Sequence, residues 1–130
     1  MILSLKMKLL PSYLERRRNA AEQYRANLAG LPLVLPRERA GHRHSYNLFV
    51  IRAQARDELE KHLRASGIRT ARHYPWPAHV QPGFASLAKV PKSLKVTEQI
   101  AAEILTLPMF ASISEAQIDR VVEAVRKFYR

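Results

Sequence analysis

The apolar side chains of the first thirty residues recur at helical spacing. Steps of three and four residues place them on one face, which predicts a helix over residues 2–29. Pro11 lies inside this stretch and predicts either a kink or the start of a second helix. Gly30 is typical of the residue that ends a helix in the left-handed conformation. The positions on the predicted face are Ile2, Leu5, Leu9, Tyr13, Ala20, Tyr24 and Leu28.

Shorter strand-like and helix-like segments alternate along the rest of the chain. Helical spacing predicts helices over 55–66 and 97–105, with Thr97 as the cap of the second. Ser114 and Gln117 form the capping-box pattern of a last helix. Few, short strands with helices between them predict an α/β fold or α+β sandwich, in which helices pack against a small sheet. Runs of β-branched and aromatic residues predict the strands at 33–35, 46–52, 68–72 and 105–108.

The length of 130 residues suits one domain over residues 1–130. Within it, we expect a long, Pro-kinked helix over 1–30, and the sheet with the remaining helices over 31–130. The first turns of the helix carry more apolar surface than one face can hide. That excess predicts contact with another subunit or with a further domain.

The composition narrows the classes of function. Hydrophobic residues make up 47% and charged residues 25% of the chain, which is typical of a soluble globular protein. No apolar run approaches the length that a membrane span needs. The sequence contains no cysteine, which excludes disulfides, thiolate catalysis and cysteine zinc sites, and agrees with a cytoplasmic location.

The net charge of +11 indicates an anionic partner. Nucleic acid, a membrane surface and a phosphorylated small molecule are the three classes that such a charge suits. The basic residues are spread along the chain, and no helix concentrates them in a DNA-binding motif. We therefore expect a small molecule, with no nucleic acid and no membrane as partner.

The segment over residues 70–82 concentrates ring-bearing and ionisable side chains. It holds two histidines, a tyrosine, a tryptophan, an arginine and three prolines in thirteen residues. Prolines fix φ and remove backbone donors, which predicts a stiff loop and not a helix or a central strand. Such a loop is typical of a binding surface. The alternative is that its rings cover the edge of the core.

Arginines flank this loop in the sequence. Arg69 and Arg72 precede it, and the segment before the strand at 46–52 carries Arg37, Arg39 and Arg43. If the strands at 46–52 and 68–72 are neighbours, these guanidinium groups surround the loop. Arginine suits phosphate oxygens and flat rings suit bases or sugars, so the ligand class is a phosphorylated, ring-containing small molecule. The alternative is that half of these arginines point into water.

Other site chemistries have less support. His42, His44, His73 and His79 could ligate a metal, but carboxylates are scarce near them, which favours surface or hydrogen-bonded histidines. No serine has the Gly-x-Ser-x-Gly context of a hydrolase. The four glycines are dispersed, so there is no glycine-rich phosphate loop.

Several segments in order resemble one family. Residues 67–82, Gly-Ile-Arg-Thr-Ala-Arg-His-Tyr-Pro-Trp-Pro-Ala-His-Val-Gln-Pro, are similar to the Gly-Ile-x-Thr-x-x-His-Tyr-Pro-x-Pro-x-His-x-Gln-Pro segment of the DegT/DnrJ/EryC1/StrS sugar aminotransferases. Residues 43–51 resemble the strand that opens the small domain of that family, and 103–110 its Leu-Ser-Leu-Pro-Met-Tyr segment. Residues 2–18 and 114–126 resemble two of its helices.

The resemblance implies a fold-type I enzyme that depends on pyridoxal phosphate (PLP). Members move an amino group onto a keto sugar linked to a nucleotide, and work as dimers with active sites at the subunit interface. Carried over position by position, the substrate-binding residues would be Arg72, His73, Tyr74 and His79, with no catalytic and no cofactor-binding residue assigned.

The resemblance covers only the C-terminal small domain of the family. The Schiff-base lysine, the aspartate on the pyridine nitrogen and the phosphate-binding residues belong to segments that precede it, so we expect the large PLP-binding domain to be absent. The expected role is that of a domain without catalysis of its own, in a homodimeric enzyme of amino-sugar and polysaccharide biosynthesis. The alternative is a stand-alone anion-binding or dimerising module.

Overall fold

The computed structural model describes residues 2–84 and 93–130, and of Ile2 only the backbone. Within them, the chain forms four α-helices and a three-stranded antiparallel sheet. The elements in chain order are α1 (Ile2–Leu28), β1 (Leu33–Val34), β2 (Phe49–Ala53), α2 (Arg56–Ala65), α3 (Lys95–Glu103), β3 (Ile104–Leu107) and α4 (Glu115–Phe128).

The helix α1 runs without interruption through Pro11 for 27 residues, which excludes the alternative that a second helix begins there. Only its second half joins the core, where Tyr24 and Leu28 are buried. The first half is exposed, with Leu5 at 58% and Leu9 at 49%. The predicted single face therefore packs over half its length, because in the described residues nothing covers the early turns.

The sheet has the order β1-β2-β3, with β2 in the centre. Phe49 is paired with Leu107 in the register of β2 and β3, and the Tyr24 ring of α1 lies 4.9 Å from the Phe49 ring between centroids. The Tyr24 hydroxyl donates to the Pro108 carbonyl oxygen at 3.0 Å, which satisfies the one polar atom of that buried ring.

The last helix completes the core. The capping box is present: the Gln117 N–H donates to the Ser114 hydroxyl at 3.3 Å, and the Ser114 N–H donates to the Gln117 side-chain oxygen at 3.0 Å. One face of α4 is buried and packs against α1 and α2. The predicted inward residues are buried or half-buried: Ile118, Val121, Val122, Val125 and Phe128.

Two predicted elements differ from the structure. Residues 68–72 form no regular strand; only Ala71 makes a bridge, to Thr106 of β3. Thr97 does not cap α3, which begins at Lys95. Instead, the Leu94 N–H donates to the Glu98 carboxylate at 3.0 Å. Pro82, Gly83 and Pro91 predict an irregular segment over 81–94, and residues 85–92 of it lie outside the described part of the chain. Among the described helices, none combines the length and the apolar character that a bilayer crossing requires.

Candidate functional site

The ring-rich segment, which we call the His-Tyr-Pro loop (residues 72–84), leaves the sheet at the free edge of β3. Ala71 and Thr106 exchange two backbone hydrogen bonds, of 3.2 and 2.7 Å. Two 3-10 turns, Ala78–Val80 and Pro82–Phe84, then make the loop compact. The backbone pairing of Ala71 fixes where the loop starts, and the prolines within the loop restrict how its backbone turns.

Arg72 binds the loop to α2. Its Nε donates to the Glu60 carboxylate at 3.0 Å, and its Nη2 donates to Asp57 at 2.7 Å and to the same Glu60 oxygen. The Glu60 hydrogen bond raises the pKa of Arg72 above its ordinary value. The predicted substrate contact is therefore an arginine whose Nε and Nη2 already have carboxylate partners.

The two histidines of the motif point in different directions. His73 Nδ1 lies 3.0 Å from the Thr106 hydroxyl, on the sheet. His79 Nε2 lies 3.0 Å from the Glu98 carboxylate, at the beginning of α3. The His79 side chain is only 12% exposed. These contacts fix the loop to β3 near its beginning and to α3 in its second half.

Two aromatic rings of the loop face solvent. Tyr74 is 75% exposed and Trp76 is 63% exposed. The alternative that the rings of the loop cover the core edge is therefore wrong for both of them. Exposed rings on a fixed backbone are available to a ligand or a partner.

The arginines of residues 37–43 do not surround the loop. Ala71 pairs with β3, and β3 separates it from β2, so the condition that the segments at 46–52 and 68–72 are neighbours is not met. The segment before β2 contacts α1 instead: Arg43 lies 3.8 Å from Glu15, and Arg18 donates to the His44 carbonyl oxygen at 3.1 Å. Arg69 lines a separate cleft with Phe110 and Arg120.

Of the histidines outside the loop, His42 and His44 make local hydrogen bonds, whereas His62 Nε2 lies 3.0 Å from the Ala124 carbonyl oxygen of α4. His44 Nδ1 accepts from the Tyr46 N–H at 2.8 Å, and His42 Nδ1 lies 3.3 Å from the Ala40 carbonyl oxygen. Across residues 2–84 and 93–130, no three histidine or acidic side chains converge as a metal site would require.

Sequence reasoning missed the partners that hold the loop. Asp57 and Glu60 lie three residues apart on one face of α2, and this spacing was a signal that the chain offered. Glu98 lies just beyond the stretch between Ile68 and Thr97 that contains no carboxylate. Thr106 looked like an ordinary strand residue, and no local pattern marks it as a partner of His73.

Comparison with known proteins places the chain in a family. Residues 1–126 match the sequence profile of the DegT/DnrJ/EryC1/StrS aminotransferase family. The "Pleiotropic regulatory protein" of Geobacillus stearothermophilus is 42% identical over 99% of this chain and 36% of its own length. The dTDP-3-amino-3,4,6-trideoxy-alpha-D-glucose transaminase of Micromonospora megalomicea subsp. nigra is 41% identical over 97% of this chain and 35% of its own length.

A solved structure has the same fold over nearly the whole chain. The crystal structure of S. venezuelae DesV, in complex with a ketimine intermediate, superposes with a TM-score of 0.95 and 37% identity. It covers 99% of this chain and 35% of DesV. The chain thus spans about a third of the length of the relatives that it matches. With its profile match over residues 1–126 and a fold shared with a solved relative, this chain belongs to the DegT/DnrJ/EryC1/StrS aminotransferase family.

Proposed function

We propose that the chain is the small, substrate-facing domain of a PLP-dependent aminotransferase that acts on a nucleotide-linked keto sugar. Family membership and a transaminase of a dTDP-linked sugar at 41% identity support the reaction and the substrate class. The observation that carries the site is the His-Tyr-Pro loop, which is fixed to α2, β3 and α3 while its Tyr74 ring faces outward. The lack of cysteine suits a cytoplasmic enzyme.

The described residues do not fit the cofactor. A Schiff-base lysine is activated by removal from water or by a neighbouring cation. The described lysines are all exposed. Two more lysines, Lys89 and Lys92, lie outside the described residues. We therefore assign the PLP chemistry to the whole enzyme and substrate contact to this domain. The described lysines are Lys6, Lys8, Lys61, Lys95 and Lys127.

Within the loop we propose a division of roles. Tyr74 and the outer edge of His73 face the ligand, since their rings lie 5.9 Å apart and nearly perpendicular, with Tyr74 exposed. Arg72 and His79 hold the loop in place through carboxylates of α2 and α3. A loop that is ordered before the ligand arrives pays little ordering entropy on binding.

Chemical-shift mapping of the 130-residue chain tests this assignment. Addition of uridine diphosphate glucose is expected to shift the amide signals of residues 73–84, with a dissociation constant of roughly 1 mM, or about 4 kcal/mol. We expect weak binding because the relatives are about three times as long and supply further contacts. Shifts confined to α1 or α4, with His73, Tyr74 and His79 silent, would place the ligand elsewhere.

A second role, self-association, is favoured by the exposed half of α1. Leu3 is 76% exposed, and Leu5, Met7 and Leu9 follow with about half or more of their surface in water. Contiguous apolar surface of this kind marks a contact with another polypeptide. We propose that this face forms part of a homodimer contact, and that the chain on its own would serve as a dimerising module if it lacked the enzymatic role.

A further inference from the structure

Trp76 carries a large exposed ring in the His-Tyr-Pro loop. It is the only tryptophan of the protein, and 63% of its surface is in water. Pro75 and Pro77 flank it, so the φ angles on both sides are fixed. A large indole in water is unusual, because burying it would stabilise the fold.

The backbone beneath the indole is held by the loop itself. The Gln81 side chain donates to the Trp76 carbonyl oxygen at 3.4 Å, and the Val80 N–H donates to the Pro77 carbonyl oxygen at 3.1 Å. Arg72 and His79 fix the loop to α2 and α3. The ring therefore keeps little freedom beyond its own two side-chain torsions, and a ligand that covers it immobilises little else.

The chemistry of the ring selects one part of a nucleotide-linked sugar. A heterocyclic base is flat and has a π face, and stacking on an aromatic side chain contributes about 1–3 kcal/mol per base. The diphosphate has no such face, and the sugar offers the indole only C–H bonds, so the base is the part of the ligand with a π face. The net charge of +11 attracts the diphosphate to the domain as a whole.

We infer that Trp76 is the stacking surface for the base of the nucleotide-linked sugar. The inference rests on the proposed function, because it takes that function's ligand as given. It adds a residue that the family motif leaves unspecified, since Trp76 occupies a variable position of the His-Tyr-Pro-x-Pro segment. It also assigns the base to the outer tip of the loop and leaves the sugar to the side of His73 and Tyr74.

Tryptophan fluorescence of the whole chain tests the inference directly, because a single residue emits as indole. The sample is excited at the red edge of the indole band, where pyrimidines do not absorb. Uridine diphosphate glucose is expected to quench the emission with saturation, and glucose 1-phosphate, which lacks the base, is expected to leave it unchanged. Equal responses to both ligands would overturn the inference.

Variants separate stacking from loop structure. Trp76→Ala is expected to weaken binding of uridine diphosphate glucose by about fivefold or more, read from the Val80 amide shift, while Trp76→Phe retains most of the affinity. Phe110→Ala is the matched control, since it removes an exposed aromatic ring that lies outside the loop and is expected to change affinity little.

The outcomes distinguish the two proposals. If both ligands shift His73 and Tyr74 while Trp76 stays silent and Trp76→Ala binds normally, the loop is the ligand surface and the stacking inference is wrong. If neither ligand perturbs residues 73–84, the proposed function of the loop is itself wrong. Unaltered amide signals outside the loop show that each variant remains folded.

Discussion

At the residue scale, several arginine side chains join segments that are distant in the sequence. Arg52 of β2 binds Glu103 at the end of α3 with two donors, at 2.8 and 2.6 Å. Arg120 of α4 donates to the Ser66 carbonyl oxygen at the end of α2 at 2.8 Å. Such contacts help to set the angles between elements. The contribution of each contact to the stability of the fold depends on the charge of its partners and on their surroundings.

The environment of the Glu103 carboxylate predicts that the folded protein loses stability in acid. Hydrogen bonds from Gln99 and from Arg52 lower its pKa in the folded protein. A lowered folded pKa favours the ionised form, so this stability is present above the unfolded value of about 4.3 and is lost as pH falls through the folded pKa. Glu103→Gln is expected to be less stable than the wild type at neutral pH and to lose that difference in acid.

Urea unfolding at a series of pH values measures this effect. Glu58→Gln, which alters an exposed carboxylate of α2, is the control and is expected to follow the wild-type curve. If Glu103→Gln has the same free energy of unfolding as the wild type at neutral pH and in acid, Glu103 does not contribute to the acid sensitivity.

Replacement of Gly67 by alanine is expected to lower the free energy of unfolding measurably. Its φ is +73°, and a Cβ there would lie 3.0 Å from Nη2 of Arg120. Gly30 has a similar φ of +80° but nothing within 4 Å, so it isolates the backbone strain. We expect Gly30→Ala to lower the free energy of unfolding by about 1–2 kcal/mol. Gly67→Ala should lower it further, because the Arg120 hydrogen bond to Ser66 must also shift. Equal losses in denaturant unfolding would show that Arg120 moves aside freely.

At the element scale, α1 belongs to two environments. Its second half packs on α4 and, through the Tyr24 ring, on Phe49 of β2, and its first half presents leucines to water. A helix gains most of its stability from packing of an apolar face, so the early turns depend on whatever covers them. The His-Tyr-Pro loop is the opposite case, since it has little regular structure but is tied to three elements.

We expect the chain to self-associate through the first half of α1. Leu5→Asp with Leu9→Asp should shift the molar mass in light scattering from oligomer towards monomer, because carboxylates replace the apolar contact. Lys6→Asp with Lys8→Asp adds two carboxylates to the same turns and keeps the leucines, so it should still associate. A wild-type chain that stays monomeric at every concentration would contradict this expectation.

At the scale of the whole molecule, we expect ligand binding and cofactor chemistry to be separable. The described lysines are exposed, whereas residues 72–84 form a fixed surface. We expect the chain, mixed with PLP and reduced with borohydride, to give no stoichiometric adduct at one lysine and no transaminase activity. The visible spectrum and peptide mapping measure both. A single modified lysine with turnover would place the cofactor site in this chain.

Local signals in the sequence were sufficient for most elements. The helix signals of α1, α2 and α4, the Ser114 capping box and the end of α1 before Gly30 each depend on a few neighbouring residues, and the structure confirms them. The order of the motifs along the chain was likewise sufficient to identify the family, because motif recognition depends on residue identities and spacing alone. Strand boundaries were less certain, as β2 begins three residues later than its β-rich run.

The sequence by itself therefore determined most of the elements, the family, and the loop that we propose as the ligand surface. Only the tertiary structure decided that Ala71 pairs with β3, that Arg72 binds Asp57 and Glu60, and that half of α1 lies in water. The physical reason is that these outcomes depend on which distant segments meet. Such pairing follows from chain closure and the packing of the whole core, which no local pattern contains.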